Sequence, residues 1–195
     1  MLFVALTGSH GTGKTTLLHS LEDRLMASGV ATVRAEEIPR TICDTVGNPE
    51  FFRRGNNSLL KQTLILLGQA SLECRLARTQ NSICLCDRTI LDHWAYTIAL
   101  ASDDPEFNAC RLVFESFLRA HMSVYDLVFL LRPEFPPVDD GTRESDAAFQ
   151  QSIDAIIIDK LEVWGIGART LSGDVAKRTE DAVTPILEAY GKVTE

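Results

Sequence analysis

Along the 195-residue chain, short and continuously apolar runs alternate with longer stretches in which apolar residues recur every three or four positions. Runs of the first kind, bounded by turn residues, read as strands covered on both faces, and stretches of the second kind read as amphipathic helices. The predicted strands are Leu2 to Leu6, Val30 to Arg34, Ile83 to Cys86, Tyr125 to Leu131 and Ala168 to Leu171. Between them, Leu18, Leu21 and Leu25 mark one helix, and Leu60, Leu64, Leu67, Ser71 and Cys74 mark another. Phe107, Cys110, Phe114 and Phe117 outline a further helix, and Ile153, Ile156, Ile157, Leu161 and Trp164 a later one. Each stripe is expected to face the core.

Strand and helix in alternation predict a parallel sheet of about five strands between helical layers, a three-layer α/β architecture. The turn-rich interruptions are short: Gly47-Asn48-Pro49, Arg53 to Asn57, Asp103-Asp104-Pro105, and Arg132 to Gly141. None suits an interdomain linker, so residues 1–195 are expected to form one domain. Sheets of this type bind their ligands at the carboxyl ends of the strands.

Composition adds two constraints. Hydrophobic residues make up 45% and charged residues 24%, enough apolar surface for a full core. Nineteen basic against 27 acidic side chains leave a net charge of -8, with no block of like charges, which argues against nucleic acid or a membrane surface as partner. No apolar stretch approaches the roughly 20 residues needed to span a bilayer, and the opening run has no basic leader, so a cytoplasmic location is expected. The five cysteines, at 43, 74, 84, 86 and 110, form no CxxC pair and read as reduced thiols. Cys84 and Cys86 alternate within one strand and should share a core-facing side.

The chemistry starts where the first strand ends. Gly8-Ser9-His10-Gly11-Thr12-Gly13-Lys14-Thr15 satisfies G-x-x-x-x-G-K-[ST], with a strand before it and an amphipathic helix after it. In such a loop, glycines let successive N–H groups turn inward onto phosphate oxygens, and the helix start adds its positive dipole end. Residues Gly8 to Thr16 are therefore the expected nucleotide-binding stretch, with Lys14 on the β- and γ-phosphates and the Thr15 hydroxyl on Mg²⁺. Ser9, His10 and Thr12 are expected to contribute backbone, with the His10 side chain in solvent.

Switches, motors and kinases all use this loop, so the rest of the chain must separate them. No N-K-x-D guanine clamp is present, and Leu171-Ser172-Gly173-Asp174 is only a fragment of an ABC-type signature. Asp87, ending the third strand beside the loop, is the candidate to hold Mg²⁺ directly or through water. Arg88 after it is placed to contact phosphates of donor or acceptor. Glu36 and Glu37 end the second strand, and one of them is a candidate to accept an acceptor hydroxyl's proton or to bind substrate. The Pro-rich segment, about residues 132–146, reads as a short lid carrying Arg143 towards the transferring group. Arg178 is a candidate to sandwich adenine, although a charge exposed on a helix is the reading favoured by its setting.

With these residues in place, the chain resembles the P-loop nucleoside and mononucleotide kinase group, within it the ribosylnicotinamide-kinase-like branch, the AAA_28-type domains. The likeness rests on the loop, Arg34 to Arg40, Asp87 to Asp92 with Tyr96, Tyr125 to Leu131, Val138 to Arg143, and Ser172-Gly173-Asp174 followed by Arg178. It implies ATP-dependent, Mg²⁺-assisted phosphorylation of a nucleoside-like hydroxyl, with Asp87 near metal and acceptor and Arg143 as lid arginine. It also implies an acceptor pocket lined by Asp92 or Tyr96, with Glu36 and Arg40 on the substrate side. One departure stands out: Glu144 to Gln151 contains no second basic residue beyond Arg143. The sequence thus points to a small-molecule kinase, with a nucleotide-binding regulator or accessory ATPase acting through a protein partner as the alternative. The acceptor's identity, ATP against GTP, and a homodimer are left open.

Overall fold

The computed structural model describes residues 1–35, 38, 59–78, 82–101, 105–134 and 147–194. At its centre runs β1 (Leu2–Thr7), whose six residues are all buried. It pairs in parallel with β3 (Ile83–Asp87) on one side and β4 (Leu127–Leu131) on the other. β2 (Thr32–Ala35) flanks β3 and β5 (Ala168–Leu171) flanks β4, so the order is β2-β3-β1-β4-β5, parallel throughout. Parallel neighbours need long crossovers, and helices fill them. These are α1 (Lys14–Ala27), α2 (Leu59–Leu76), α3 (Ile90–Ala101), α4 (Pro105–His121) and α5 (Ala147–Trp164), while α6 (Val175–Thr194) follows β5. A short 3-10 turn at Met122–Val124 links α4 to β4.

Side chains alternate across the sheet and so build two cores. Leu2, Val4, Leu6, Ile83, Leu85, Phe129 and Leu131 pack with Leu17, Leu21 and Leu25 of α1 and Ala182, Val183 and Ile186 of α6. The opposite face, with Phe3, Ala5, Cys84, Cys86, Val128 and Leu130, meets Leu66, Trp94, Phe107, Leu118, Ile153 and Ile157 from α2 to α5. This is the three-layer α/β architecture expected from the sequence. Cys84 and Cys86 share a buried face as predicted, their Sγ atoms 3.9 Å apart. The bond between them and the lack of water hold the Cys86 thiol well above the ordinary range.

β1, β2 and β3 each run one residue further than predicted, to Thr7, Ala35 and Asp87, and the starts of β2 and β4 move for local reasons. β2 starts at Thr32 rather than Val30 because the Val30 N–H still caps α1, donating to the Leu25 carbonyl (3.1 Å) after Gly29 turns left-handed at φ 76°. Tyr125 precedes β4, since its N–H closes the 3-10 turn onto Met122 (3.3 Å).

One facing prediction is overturned. The α2 stripe does not meet the core: Leu60 is 61% exposed and Leu67 51%, and Cys74 is exposed as well. The buried face is instead Lys61, Gln62, Ile65, Leu66, Gln69, Ala70 and Glu73. Polar groups are tolerated there because they are bonded: Gln62 accepts from Thr97 (3.2 Å), and Gln69 donates to Glu73 (2.5 Å). On α4, Phe107 is buried as expected, but the stripe drifts to Leu118 and leaves Phe117 39% exposed. The α5 stripe faces inward as predicted, Ile153, Ile157, Leu161 and Trp164 being buried. Among the described residues no helix is long and apolar enough to cross a membrane.

The facing of α2 can be checked by truncation. Leu66→Ala should destabilise the protein by about 2–5 kcal/mol in urea unfolding, whereas the adjacent Leu67→Ala should stay within about 0.5 kcal/mol. A second expectation concerns Glu115, which accepts from Arg111 within α4 and receives Lys160 of α5, each at 3.2 Å. Burial alone would raise its carboxyl, but Lys160 and Arg111 outweigh it and hold the group below its ordinary range. Its stabilisation is therefore present above the unfolded-state value and lost as pH falls through the folded one. Glu115→Gln should cost about 1 kcal/mol at pH 7, and the difference should shrink as pH falls through the folded-state value when unfolding is followed across the acid range.

Candidate functional site

The chain leaves β1 through Gly8, at φ 145°, where an added Cβ would lie 2.2 Å from the Leu131 carbonyl oxygen. Only a glycine fits between β1 and the end of β4 at this point. Gly11 and Gly13 also adopt positive φ, 71° and 86°, and curl the loop back into α1. Gly13 caps α1 without any side-chain bond, and the first turn carries no acidic residue. Its orphan N–H groups open onto a cavity of 180 Å³ lined by Gly11 to Thr16, Asp87 and Arg88. Lys14, only 5% exposed, turns back along the loop and donates to the Gly8 and Ser9 carbonyls at 2.7 and 2.6 Å. Thr12 closes the turn with a bond to Ser9 O (3.0 Å).

Sheet register delivers the acid. Leu6 pairs with Asp87, so the carboxylate ending β3 lies beside the loop, and Thr15 Oγ1 donates to Asp87 Oδ2 at 2.6 Å. Hydroxyl and carboxylate together offer hard oxygen donors suited to Mg²⁺. No group of three or more His, Cys, Asp or Glu among the described residues is arranged for a metal. That donor set fits a Mg²⁺ ion that keeps water and phosphate as its remaining ligands.

On the other wall, Arg88 has φ 121°, a conformation costing a non-glycine residue about 1–3 kcal/mol. Its guanidinium lies 5.7 Å from the centre of the Tyr96 ring. Burial raises the Tyr96 phenol above its ordinary range, with Arg88 opposing, so the hydroxyl stays protonated. The turn is held from α3. Thr89 N and Thr89 Oγ1 donate to Asp92 Oδ2 (2.8 and 2.6 Å) and Asp92 N donates back to Thr89 Oγ1 (3.3 Å). This is a capping box, T-x-x-D, that the sequence spells openly and that the strand-and-stripe reading passes over.

Several sequence-predicted residues take different positions. His10, expected in solvent, is 6% exposed. Its Nδ1 and N–H both meet the Tyr96 hydroxyl (2.8 and 3.2 Å), and its ring centre lies 6.1 Å from that of Phe149. Gln150 Nε2 donates to His10 O (2.7 Å), tying α5 to the loop. Asp92, expected through the resemblance to line an acceptor pocket, has no exposed surface and serves the loop instead, accepting from Gly8 N and Thr7 Oγ1 (both 2.9 Å). Arg178 is not an exposed helix charge: it is 3% exposed and donates to Thr12 O (2.7 Å), with Glu134 3.3 Å from its other nitrogen. Glu36, Glu37, Arg40 and Arg143 lie outside the described residues, as do residues 135–146 of the expected lid.

A second polar cluster supports the site from beneath. Tyr125 OH accepts from Ile90 N (2.9 Å) at the start of α3 and donates to Glu73 Oε1 (2.8 Å). Glu73 Oε2 lies 2.6 Å from His121 Nε2. Burial, reinforced by Glu73, pushes the Tyr125 phenol well up, which keeps it a donor. Contacts among α2, α4 and α3 at long sequence separation leave no local signal from which this cluster could be read.

A family model described as AAA domain, AAA_28, matches residues 3–178. No curated protein sequence matches the chain. Among solved structures, the thymidylate kinase from Ehrlichia chaffeensis is similar with a TM-score of 0.64 and 16% identity, over 95% of this chain and 98% of that one. The NadR protein in complex with NR is similar with a TM-score of 0.69 and 18% identity, over 97% of this chain and 50% of that one. This chain therefore spans half the length of that NadR chain. At these identities the two likenesses establish a shared three-layer α/β P-loop fold.

The loop geometry predicts unequal glycines. Gly8→Ala should lower stability by about 3 kcal/mol or more in thermal unfolding, since both its φ and the Leu131 carbonyl forbid a side chain. Gly29→Ala, with positive φ but nothing within 4 Å, should cost only about 1–2 kcal/mol.

Proposed function

We propose, for a chain that belongs to the AAA_28 family of AAA domains, ATP-dependent transfer of the γ-phosphoryl group to a hydroxyl of a nucleoside-like or nucleotide-like acceptor. The observation that carries this reading is one cavity in which an uncapped helix start, Lys14, the Thr15–Asp87 oxygen pair and Arg88 converge. Nucleotide binding alone needs the first three. A guanidinium presented from a strained turn on the facing wall suits a transition state whose charge spreads over the phosphoryl oxygens. The fold shared with a thymidylate kinase lends support to an acceptor of this class.

In this reading the triphosphate lies along the N–H groups of Gly11 to Thr16. Lys14 exchanges the carbonyls of Gly8 and Ser9 for β- and γ-phosphate oxygens by rotation of its flexible stem. Thr15 and Asp87 would hold Mg²⁺, which would supply positive charge to offset that of the phosphates. Arg88 orients the γ-phosphoryl group. The acceptor hydroxyl attacks phosphorus in line: the new O–P bond forms as the bond to the ADP oxygen breaks, and the hydroxyl proton passes to a carboxylate. Glu36, Glu37 and Asp87 are the candidates for that carboxylate. Glu36 and Arg40 address the acceptor, Arg143 approaches the phosphoryl group from the segment of residues 132–146, and Tyr96 acts by carrying Arg88. Arg178 braces the loop at Thr12, on the side where α6 begins.

Incubation with Mg-ATP and a panel of nucleosides, mononucleotides and ribosylnicotinamide, followed by mass spectrometry, tests the reading. One panel compound should gain a single phosphoryl group, and Lys14→Ala should abolish the gain. ATP consumed with no compound phosphorylated would replace transfer by an ATPase acting through a protein partner. Arg143→Ala should slow turnover by about 100-fold while changing ATP affinity less than about threefold. Equal losses in both would remove Arg143 from the transferring group.

A further inference from the structure

Asp92 has no exposed surface, and its two oxygens divide between the two walls of the cavity. Oδ1 accepts from Gly8 N (2.9 Å), where the loop begins. Oδ2 accepts from Thr89 N and Thr89 Oγ1 (2.8 and 2.6 Å), directly after Arg88, and from Thr7 Oγ1 (2.9 Å). One carboxylate thus joins the root of the phosphate loop to the turn that presents the guanidinium.

We infer that Asp92 is a positioning residue that sets the separation of the loop and Arg88, so that the phosphoryl group is gripped from both sides at once. The Gly8 carbonyl is held by Lys14 (2.7 Å), the group that turns to phosphate in the proposed reaction, whereas the Gly8 N–H donates to Asp92, which has no part in that exchange. Arg88 sits at φ 121°, a conformation that persists only if its surroundings impose it, and the next residue along, Thr89, is bonded to Asp92 by both backbone and side chain. The inference rests on the loop and Arg88 together forming the phosphate site.

Asp92→Asn is the sharpest variant because shape is retained while one acceptor becomes a donor. Whichever way the amide turns, its NH2 faces either Gly8 N or Thr89 N, so one of the two links breaks. The readout is single-turnover loss of the ATP γ-phosphate, to acceptor or to water, at a temperature where every variant is folded. A second readout is the amide NMR signals of Gly8 and Thr89. Asp92→Asn should slow the step by about 100-fold, and Arg88→Ala alone should slow it by a similar factor, about 100-fold. The double variant should be no more than about threefold slower than Asp92→Asn, because a guanidinium already out of place cannot be lost twice. Both amide signals should change in Asp92→Asn, since the charged acceptor of both is lost, and that of the broken link should change most. Thr7→Val, which leaves the carboxylate and both backbone bonds, should slow the step less than about threefold and leave both signals in place.

Multiplying losses in the double variant, or unmoved Gly8 and Thr89 signals in Asp92→Asn, would overturn the inference. Should Asp92→Asn fail to fold, Thr89→Ala removes only the hydroxyl from the link and must show the same non-additivity with Arg88→Ala. A wild-type protein that neither binds nor consumes Mg-ATP would refute the phosphate site itself. The amide signals would then decide alone whether Asp92 joins the two walls.

Discussion

β1 lies between two parallel neighbours, and the way its chain must leave that position governs everything at the cavity. On one side Leu6 pairs with Asp87, and on the other the Leu131 carbonyl comes so close that Gly8 has no room for a Cβ. The exit is therefore a glycine turn, wedged between the ends of β3 and β4. From there the backbone has nowhere to go except over the carboxyl edge of the sheet and down into α1. Asp87 is brought to Thr15 by the same register, so the oxygen pair is a product of sheet order and needs no dedicated loop.

Two helix starts meet at this edge, and they are treated in opposite ways. At α3 the Thr89 and Ile90 N–H groups are taken by Asp92 and the Tyr125 hydroxyl. At α1 the cap is a glycine with no side-chain bond, and no acid stands in the first turn. Of the two, α1 is thereby the one that attracts an anion, since its orphan donors and its dipole end coincide at the cavity. Buried polar groups elsewhere obey the same rule of pairing. Glu73 is tolerated without exposure because Gln69, Tyr125 and His121 surround it.

The elements that could be read from sequence were those with strong local signals. All five strands appear where continuous apolar runs predict them, their starts shifted only where Gly29 and the 3-10 turn intervene. The loop was legible because glycine, lysine and hydroxyl spacings carry a mechanism, and Asp87 because it ends a strand. Facing was harder. On α2 two stripes compete, one apolar and one mixed with Gln62, Gln69 and Glu73, and only tertiary partners such as Thr97 and Tyr125 make the mixed one the inner face. His10 and Arg178 were misplaced for a related reason. Their partners, Gln150 and Glu134, stand more than a hundred residues from His10 and 44 from Arg178, and no local pattern announces them. The Asp92 capping box, by contrast, was readable as T-x-x-D, but its additional grip on Gly8 N was not.

The buried ammonium of Lys14 has a consequence for the cost of recognition. With 5% of its surface exposed and two carbonyl oxygens within 2.7 Å, this cation has shed most of its hydration before any ligand arrives. A phosphate oxygen that displaces those carbonyls exchanges one dehydrated partner for another, and the stripping of water falls almost wholly on the incoming anion. The protein has met its share of that penalty during folding, out of the stability of the sheet beneath.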